Sequence, residues 1–211
     1  MSSDYIQFGC GLCAPDGWRH FDAGPAFWLQ KYAPFTTSVL VKKGFPRYPV
    51  KRIEYADVIQ GLPIQPQSVS GVYCSHVLEH LPLEGFRATL RNVFSYLRPG
   101  GRFRFVLPDI EFLAKEYLAD ASPDAAVRFI QDSHLGDKQL PRGSEALVRG
   151  IFGRSKHLWM WDYKAIEKEL AAVGFVQIRR AYFNDSEDPR FKELEAIGRW
   201  ENQLGVECTR P

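Results

Sequence analysis

The sequence predicts an α/β fold, a doubly wound parallel β-sheet with helices on both faces. Short β-rich runs alternate with stretches of helical periodicity along the chain, which is the pattern of such sheets. A glycine-rich turn directly follows the first run. Ligands of these sheets bind beyond the carboxyl ends of the strands, so the residues expected to matter are those that follow the runs, namely 9–11, 22, 57, 75–76 and 108–109.

Size and charge exclude several classes of protein. The 211 residues suit one domain with a full core, and 45% of them are hydrophobic, as in globular proteins. A formal net charge of +2 gives no bulk reason to bind nucleic acid or an anionic membrane. No apolar run has the length of a bilayer span, and residues 1–4 lack the features of a signal peptide. We expect a cytoplasmic protein with four reduced cysteines.

The first half of the chain contains four predicted strands. Their β-rich composition and flanking turn residues place them at 5–8, 20–22, 52–57 and 69–75. Between the second and the third, residues 27–44 are aromatic and poorly periodic. This segment is therefore predicted to be a loop or a short helix.

The second half alternates helices and strands in the same way. Pro99-Gly100-Gly101 ends one helix, and Asp162 and Gly174 are the expected N-cap and C-cap residues of another. Apolar spacing and these signals predict a helix over 83–97, a strand over 102–107, two helical pieces within 110–133 divided near 122–123, a helix over 162–173, and strands over 175–182 and 205–209.

One stretch stands apart from this alternation. Residues 134–156 are rich in glycine, arginine and serine, and we expect a lid or insertion within 119–158 of an otherwise single domain, 1–211. Its basic residues would favour a phosphorylated or carboxylated acceptor if the stretch covers a pocket; they are Arg142, Arg149, Arg154 and Lys156.

The glycine-rich turn fits several nucleotide cofactors. Gly9, Gly11 and Ala14 match the G-x-G-x-x-G/A pattern of dinucleotide sites. Such sites need a helix directly behind the turn and an acid about 20 residues on, whereas Asp22 follows Gly11 by only about 11. S-adenosylmethionine has no phosphate and needs no such helix. The spacing therefore favours S-adenosylmethionine over NAD(P).

Six blocks of sequence resemble a family of small predicted S-adenosylmethionine-dependent methyltransferases, of class I and similar to methyltransferase type 11. In order, the blocks are 6–11, 17–22, 57–63, 75–81, 97–102 and 106–109. The resemblance implies a Rossmann-like sheet of about seven strands with the last strand antiparallel. The helix that usually joins the first two strands would be missing or very short.

The resemblance also implies roles for individual positions. The backbone of Gly9, Cys10 and Gly11 would face the methionine part of the cofactor, Asp22 would bind the ribose hydroxyls, and Asp57 with Val58 would bind the adenine. Ser75 and His76 would border the site of transfer. Asp57 and Asp109 are also plausible strand-end turn formers, but their joint placement at strand ends with Asp22 favours binding for Asp22 and Asp57.

Methyl transfer from a sulfonium needs alignment and desolvation of the two reactants. A general base helps when the acceptor is a hydroxyl or an amine, and histidine is the usual base near neutral pH. His76 is the first candidate because it follows a strand, and His157 is the second because it precedes a helix. We expect a small-molecule acceptor; the oligomeric state is left open.

Two motifs suggest metal or redox chemistry. His76-Val77-Leu78-Glu79-His80 matches H-x-x-E-H of zinc peptidases, but it lies at a strand-to-helix junction rather than on a regular helix. Cys10 and Cys13 form a C-x-x-C without a second pair. We therefore expect no metal. The alternatives to a methyltransferase are an NAD(P)-dependent oxidoreductase and a non-catalytic module that binds S-adenosylmethionine.

Overall fold

A computed structural model describes residues 4–136 and 156–211. Their fold is built on a seven-stranded mixed sheet. In chain order the strands are β1 (Tyr5–Phe8), β2 (Arg19–Asp22), β3 (Ile53–Tyr55), β4 (Val69–Ser75), β5 (Leu97–Pro108), β6 (Val176–Ala181) and β7 (Gln203–Thr209). Across the sheet their order is β3-β2-β1-β4-β5-β7-β6. The chain order reverses between β1 and β4, which makes their carboxyl ends the expected ligand site.

Strand directions confirm the predicted fold class. The first five strands run parallel to their neighbours, and β7 runs antiparallel to both β5 and β6. Residues 9–18 connect β1 to β2 through turns, without a helix. The Rossmann-like sheet with an antiparallel last strand and no first connecting helix is therefore present.

Six α-helices accompany the strands in the described part of the chain. They are α1 (Pro25–Tyr32), α2 (Thr37–Lys42), α3 (Leu83–Tyr96), α4 (Ile110–Ala119), α5 (Ala125–Asp132) and α6 (Tyr163–Val173). The caps of α6 are as predicted, because the Asp162 side chain accepts a hydrogen bond from the Ala165 amide and Gly174 is left-handed at φ 110°. The segment 27–44, expected as a loop or a short helix, contains most of α1 and all of α2.

β5 begins earlier than the sequence indicated. Leu97 pairs with Val69 in β4, and the register then shifts so that Arg102 pairs with Gly71. Pro99-Gly100-Gly101 is thus an irregularity within a strand, where the sequence predicted a turn before one. The pairing with β4 decides the assignment, and this long-range interaction has no local signal.

The two faces of the central strands enter different cores. Val72 and Cys74 of β4 pack with the core under α3 and α6, whereas Tyr73 between them packs with Phe191 and Trp200 on the opposite face. That second cluster lies under the segment 182–202, which contains the short 3-10 helices Pro189–Glu193 and Ile197–Arg199. Part of the second face is therefore covered by irregular chain, where the sequence predicted helices.

The predicted insertion is described only in part. Helices α4 and α5 follow β5, and the break between them at 120–124 matches the predicted division near 122–123. Residues 137–155, with Arg142, Arg149 and Arg154, lie outside the described residues. Within 4–136 and 156–211, no helix is long and apolar enough to cross a membrane.

Candidate cofactor and acceptor site

The turn after β1 is held in a conformation that favours glycine. Gly9 and Gly11 have φ of 62° and 55°, in the left-handed region. A Cβ at Gly9 would lie 2.3 Å from Cγ2 of Val77, in the loop after β4, whereas a Cβ at Gly11 would meet nothing within 4 Å. Gly9 thus lets the loops after β1 and β4 pack together, and Gly11 faces open space beside them.

Asp22, at the end of β2, is tied to this turn. Its carboxylate accepts hydrogen bonds from the Gly11 amide at 3.0 Å and the Gly24 amide at 2.7 Å, one on each oxygen. A carboxylate has about four lone-pair sites, so each oxygen can accept another donor. The side chain is positioned firmly and still has acceptor capacity towards a ligand.

Asp57 and Val58 follow β3. The Asp57 side chain accepts from the Ile59 amide at 2.9 Å, and its carbonyl accepts from the amides of Gln60 and Gly61 at 3.1 Å each. The Val58 side chain is buried in the main core. Any ligand contact by Val58 would therefore be through its backbone.

Ser75 and His76 end β4 and contact a residue that the sequence did not single out. Arg199 donates to the Ser75 hydroxyl at 3.1 Å, and Nε2 of His76 lies 3.0 Å from the Arg199 carbonyl oxygen. His76 has φ of 54°, an unusual backbone conformation that clusters at functional sites. Arg199 ends the 3-10 helix Ile197–Arg199 before β7, far along the chain, and only the fold brings it here.

Arg199 also acts on the loop after β1. Burial raises the pKa of the Cys13 thiol above its ordinary value, and the positive charge of Arg199 opposes this rise. The guanidinium group thus contacts the end of β4 and influences the loop after β1. The other cysteine of the C-x-x-C, Cys10, is buried with a pKa raised by burial, and both cysteines are free thiols.

Histidines surround Glu79 in the short 3-10 helix Leu78–His80. The Glu79 side chain is buried, and its Oε1 lies 3.3 Å from Nδ1 of His76, 3.9 Å from Nε2 of His80 and 4.0 Å from Nε2 of His157. Burial lowers the pKa of the His157 imidazole, partly offset by the charge of Glu79. The fold therefore brings the two candidate bases, His76 and His157, to one carboxylate.

A cavity of about 180 Å³ adjoins this cluster at the carboxyl ends of β4 and β5. Both candidate bases line it. The cavity also includes an acid that the sequence placed after β5, Asp109, and a histidine that it did not single out, His134. A cavity of this size with several titratable groups suits a small polar molecule.

Comparison with known proteins shows the family. The sequence model of a methyltransferase domain matches residues 20–179 of the 211. The chain belongs to this methyltransferase-domain family. S-adenosylmethionine is the methyl donor of the family. No curated protein has significant sequence similarity to the chain.

A solved structure of low sequence identity has a similar fold. A possible histamine N-methyltransferase from Thermotoga maritima is 11% identical with a TM-score of 0.51, over 98% of this chain and 82% of its own. PigF with SAH is 15% identical with a TM-score of 0.49, over 98% and 56%.

Phosphoethanolamine N-methyltransferase 2 of Haemonchus contortus, in complex with S-adenosyl-L-methionine, is 13% identical with a TM-score of 0.48. The match covers 98% of this chain and 48% of that one. The chain thus spans about half the length of this protein and of PigF.

Proposed function

We propose that this protein transfers the methyl group of S-adenosylmethionine to a small hydroxyl or amine acceptor. The observation that carries the proposal is the hydrogen bond between the Gly11 amide and the Asp22 carboxylate. It joins the glycine turn after β1 to the acid after β2 without a helix between them. A dinucleotide would need that helix for its pyrophosphate, so the arrangement favours a cofactor without phosphate.

The cofactor would lie across the carboxyl ends of β1 to β4. The backbone of Gly9, Cys10 and Gly11 would face its methionine part, and Asp22 would accept hydrogen bonds from the ribose hydroxyls. Asp57 and the backbone of Val58 would contact the adenine, with Ser75 and His76 at the transfer site. The open space beside Gly11 supports this placement.

Arg199 would bind the carboxylate of the cofactor. Its guanidinium group donates to Ser75 at the end of β4 and influences Cys13 in the loop after β1, and these two segments would border the methionine part. Arginine binds carboxylates with charge-assisted and often bidentate hydrogen bonds. In this assignment Ser75 orients the arginine.

The acceptor would occupy the 180 Å³ cavity lined by His76 and His157. S-adenosylmethionine would supply an activated methyl carbon for the lone pair of the acceptor, with S-adenosylhomocysteine as the leaving product. His76 is the first candidate to take the acceptor proton and His157 the second. The Arg199 carbonyl beside Nε2 of His76 only accepts, so Nε2 carries the hydrogen in this arrangement. To take a proton at Nε2, the ring would hold its hydrogen on Nδ1, beside Glu79, with the acceptor in place of the carbonyl.

The charge of the acceptor is a separate proposal. A preference for an anion rests on Arg142, Arg149 and Arg154, which lie outside the described residues. The described wall of the cavity includes the carboxylates of Asp109 and Asp132, and Asp109 is paired with Arg180 at 3.2 Å. These groups fit an amine as well as a hydroxyl.

Calorimetric titration tests the cofactor and the role of Arg199 together. S-adenosylhomocysteine should bind the wild-type protein, and NAD and NADP should not. R199M should weaken the binding of S-adenosylhomocysteine by about 10-fold or more, which is the effect of losing a hydrogen bond to a charged group. It should change the affinity for 5′-methylthioadenosine, which lacks the amino-acid part, by less than about 2-fold.

The exposed Arg98 provides the matched control, since R98M removes a guanidinium group 3.8 Å from Asp4 and far from the proposed cofactor contacts. If NAD or NADP bound and S-adenosylhomocysteine did not, the proposed function would be contradicted. If R199M lost the same affinity for S-adenosylhomocysteine and for 5′-methylthioadenosine, only the assigned role of Arg199 would be contradicted, and the proposed function would stand.

A further inference from the structure

A fully buried carboxylate without a hydrogen bond lies beside the candidate acceptor cavity. The Glu79 side chain has a relative exposure of 0%, and neither of its oxygens has a hydrogen-bond partner within the described part of the chain. Burying an ionised carboxylate is costly unless another group compensates its charge. The groups that approach it are imidazole nitrogens of His76, His80 and His157.

The tautomer of His80 follows from its other contact. Nδ1 of His80 lies 2.9 Å from the Lys156 carbonyl oxygen, and because a carbonyl only accepts, Nδ1 carries the hydrogen. In the neutral ring Nε2 then has a lone pair, and this atom faces Oε1 of Glu79 at 3.9 Å. Two acceptor atoms facing each other inside the protein repel, unless a cation lies between them.

His157 is fixed over the same carboxylate by its own chain segment. The amides of Leu158 and Trp159 donate to the Glu79 carbonyl at 2.7 and 3.1 Å. Together with the His80 contact to Lys156, these bonds fasten residues 156–159 to the 3-10 helix. For His80, the Lys156 carbonyl on Nδ1 is the kind of partner that commonly orients a metal-bound histidine through its second nitrogen.

We propose that Glu79, His80 and His157 bind a divalent transition metal of the Zn²⁺ class. One donor atom from each residue lies within 4.8 Å of the other two. Ligands of a tetrahedral zinc ion, each about 2.0–2.2 Å from it, are roughly 3.4 Å apart, so the donor atoms need to approach one another by up to about 1.4 Å. Two histidines and a glutamate form a known zinc ligand set that leaves a position for another ligand.

The fold supplies the ligand that the sequence motif lacked. The sequence places His76-Val77-Leu78-Glu79-His80 off any regular helix, which speaks against a zinc-peptidase motif, and the structure has a strand end followed by a 3-10 helix there. The third ligand, His157, comes instead from the distant segment before α6. As a ligand, His157 would not serve as base, which leaves that role to His76.

Metal binding is tested on the full chain after treatment with a chelator. Zn²⁺ titrated in competition with a chromophoric chelator should bind tightly at one ion per chain. E79Q and H157N should each lower the zinc affinity by at least about 10- to 100-fold. Loss of an outer-shell partner of a ligand already has an effect of that size, and these two residues would be ligands themselves. Thermal unfolding without metal shows whether each variant is folded, and Co²⁺ spectra of the wild type should show no thiolate charge-transfer band.

Cys13, which is exposed, offers the control for adventitious binding at the C-x-x-C, and C13S should retain the zinc affinity. The proposal is overturned if C13S abolishes binding, if E79Q and H157N leave it unchanged, or if the wild type binds no zinc. If the wild type binds no zinc, protons rather than a metal ion compensate the charge of Glu79. None of these results depends on whether S-adenosylhomocysteine binds.

Discussion

Replacing Asp22 with asparagine should weaken the binding of S-adenosylhomocysteine by about 10- to 100-fold. The carboxylate already accepts from the amides of Gly11 and Gly24, one on each oxygen, and we propose that it also accepts from the ribose hydroxyls. A hydrogen bond to a charged group contributes about 1.5–3 kcal/mol. Asparagine has one oxygen and no charge, so it cannot accept hydrogen bonds from both the turn amides and the ribose hydroxyls as the carboxylate does. Isothermal titration of both proteins measures the change.

D16N is the matched control for this variant. The Asp16 side chain is 93% exposed and lies 3.3 Å from Arg52, so its loss should leave the affinity within about 2-fold, as for other surface ion pairs. D22N should also weaken the binding of 5′-methylthioadenosine, because that ligand keeps the ribose. An affinity of D22N equal to that of D16N, with both proteins folded, would rule out the ribose contact.

Replacing Arg104 with methionine should lower the free energy of unfolding by about 3–5 kcal/mol, the cost of breaking a buried ion pair from one side. The Arg104 side chain is fully buried. It donates to Glu195, to Asp185 at 2.9 Å and to Glu207 at 3.2 Å. The Glu195 and Glu207 side chains are also buried. The methionine variant leaves the Glu195 carboxylate inside the protein without this cation, whereas Glu207 keeps its pairs with Arg102 and Arg179. Urea denaturation measures the loss.

A second variant separates charge from packing. Adding E195Q to R104M removes the buried charge that has lost its cation, and the double variant should regain at least about 1 kcal/mol, because these contacting sites are coupled. R98M, which breaks the exposed pair with Asp4, should cost less than about 1 kcal/mol. An R104M protein no less stable than R98M would show that the buried network does not hold 182–202 on the sheet.

Local signals in the sequence predicted most of the elements. β4 has the predicted bounds, 69–75, because a β-rich run ends at His76. The start of α6 was found from Asp162, whose side chain does cap the helix. The missing helix between β1 and β2 followed from the short distance to Asp22. Each of these features is decided by residues within a few positions of it.

Features that depend on distant residues were not predicted. Arg104 is one of the alternating residues of a predicted strand, and no local signal shows that Asp185, Glu195 and Glu207 surround it. The same holds for Arg199 at Ser75, which is 124 residues earlier in the chain. These contacts form when the irregular segment before β7 folds over the sheet.

The Glu79 cluster shows the same division. The sequence identified His76, Glu79 and His80 as a motif and His157 as a separate base candidate. It could not bring them together, because residues 156–159 reach Glu79 through backbone hydrogen bonds. Such bonds are independent of side-chain type and leave no pattern in the sequence.

Amide chemical-shift mapping tests the central claim most directly. S-adenosylhomocysteine is titrated into the ¹⁵N-labelled protein, and the shifts of assigned amides are followed. The proposed site predicts the largest changes at Gly9, Gly11 and Gly24, with smaller changes around Asp57 and His76. Binding that left these amides unchanged and moved those of the surface groove beside Arg87 and Arg91, or no binding at all, would contradict the claim that the cofactor lies across the ends of β1 to β4.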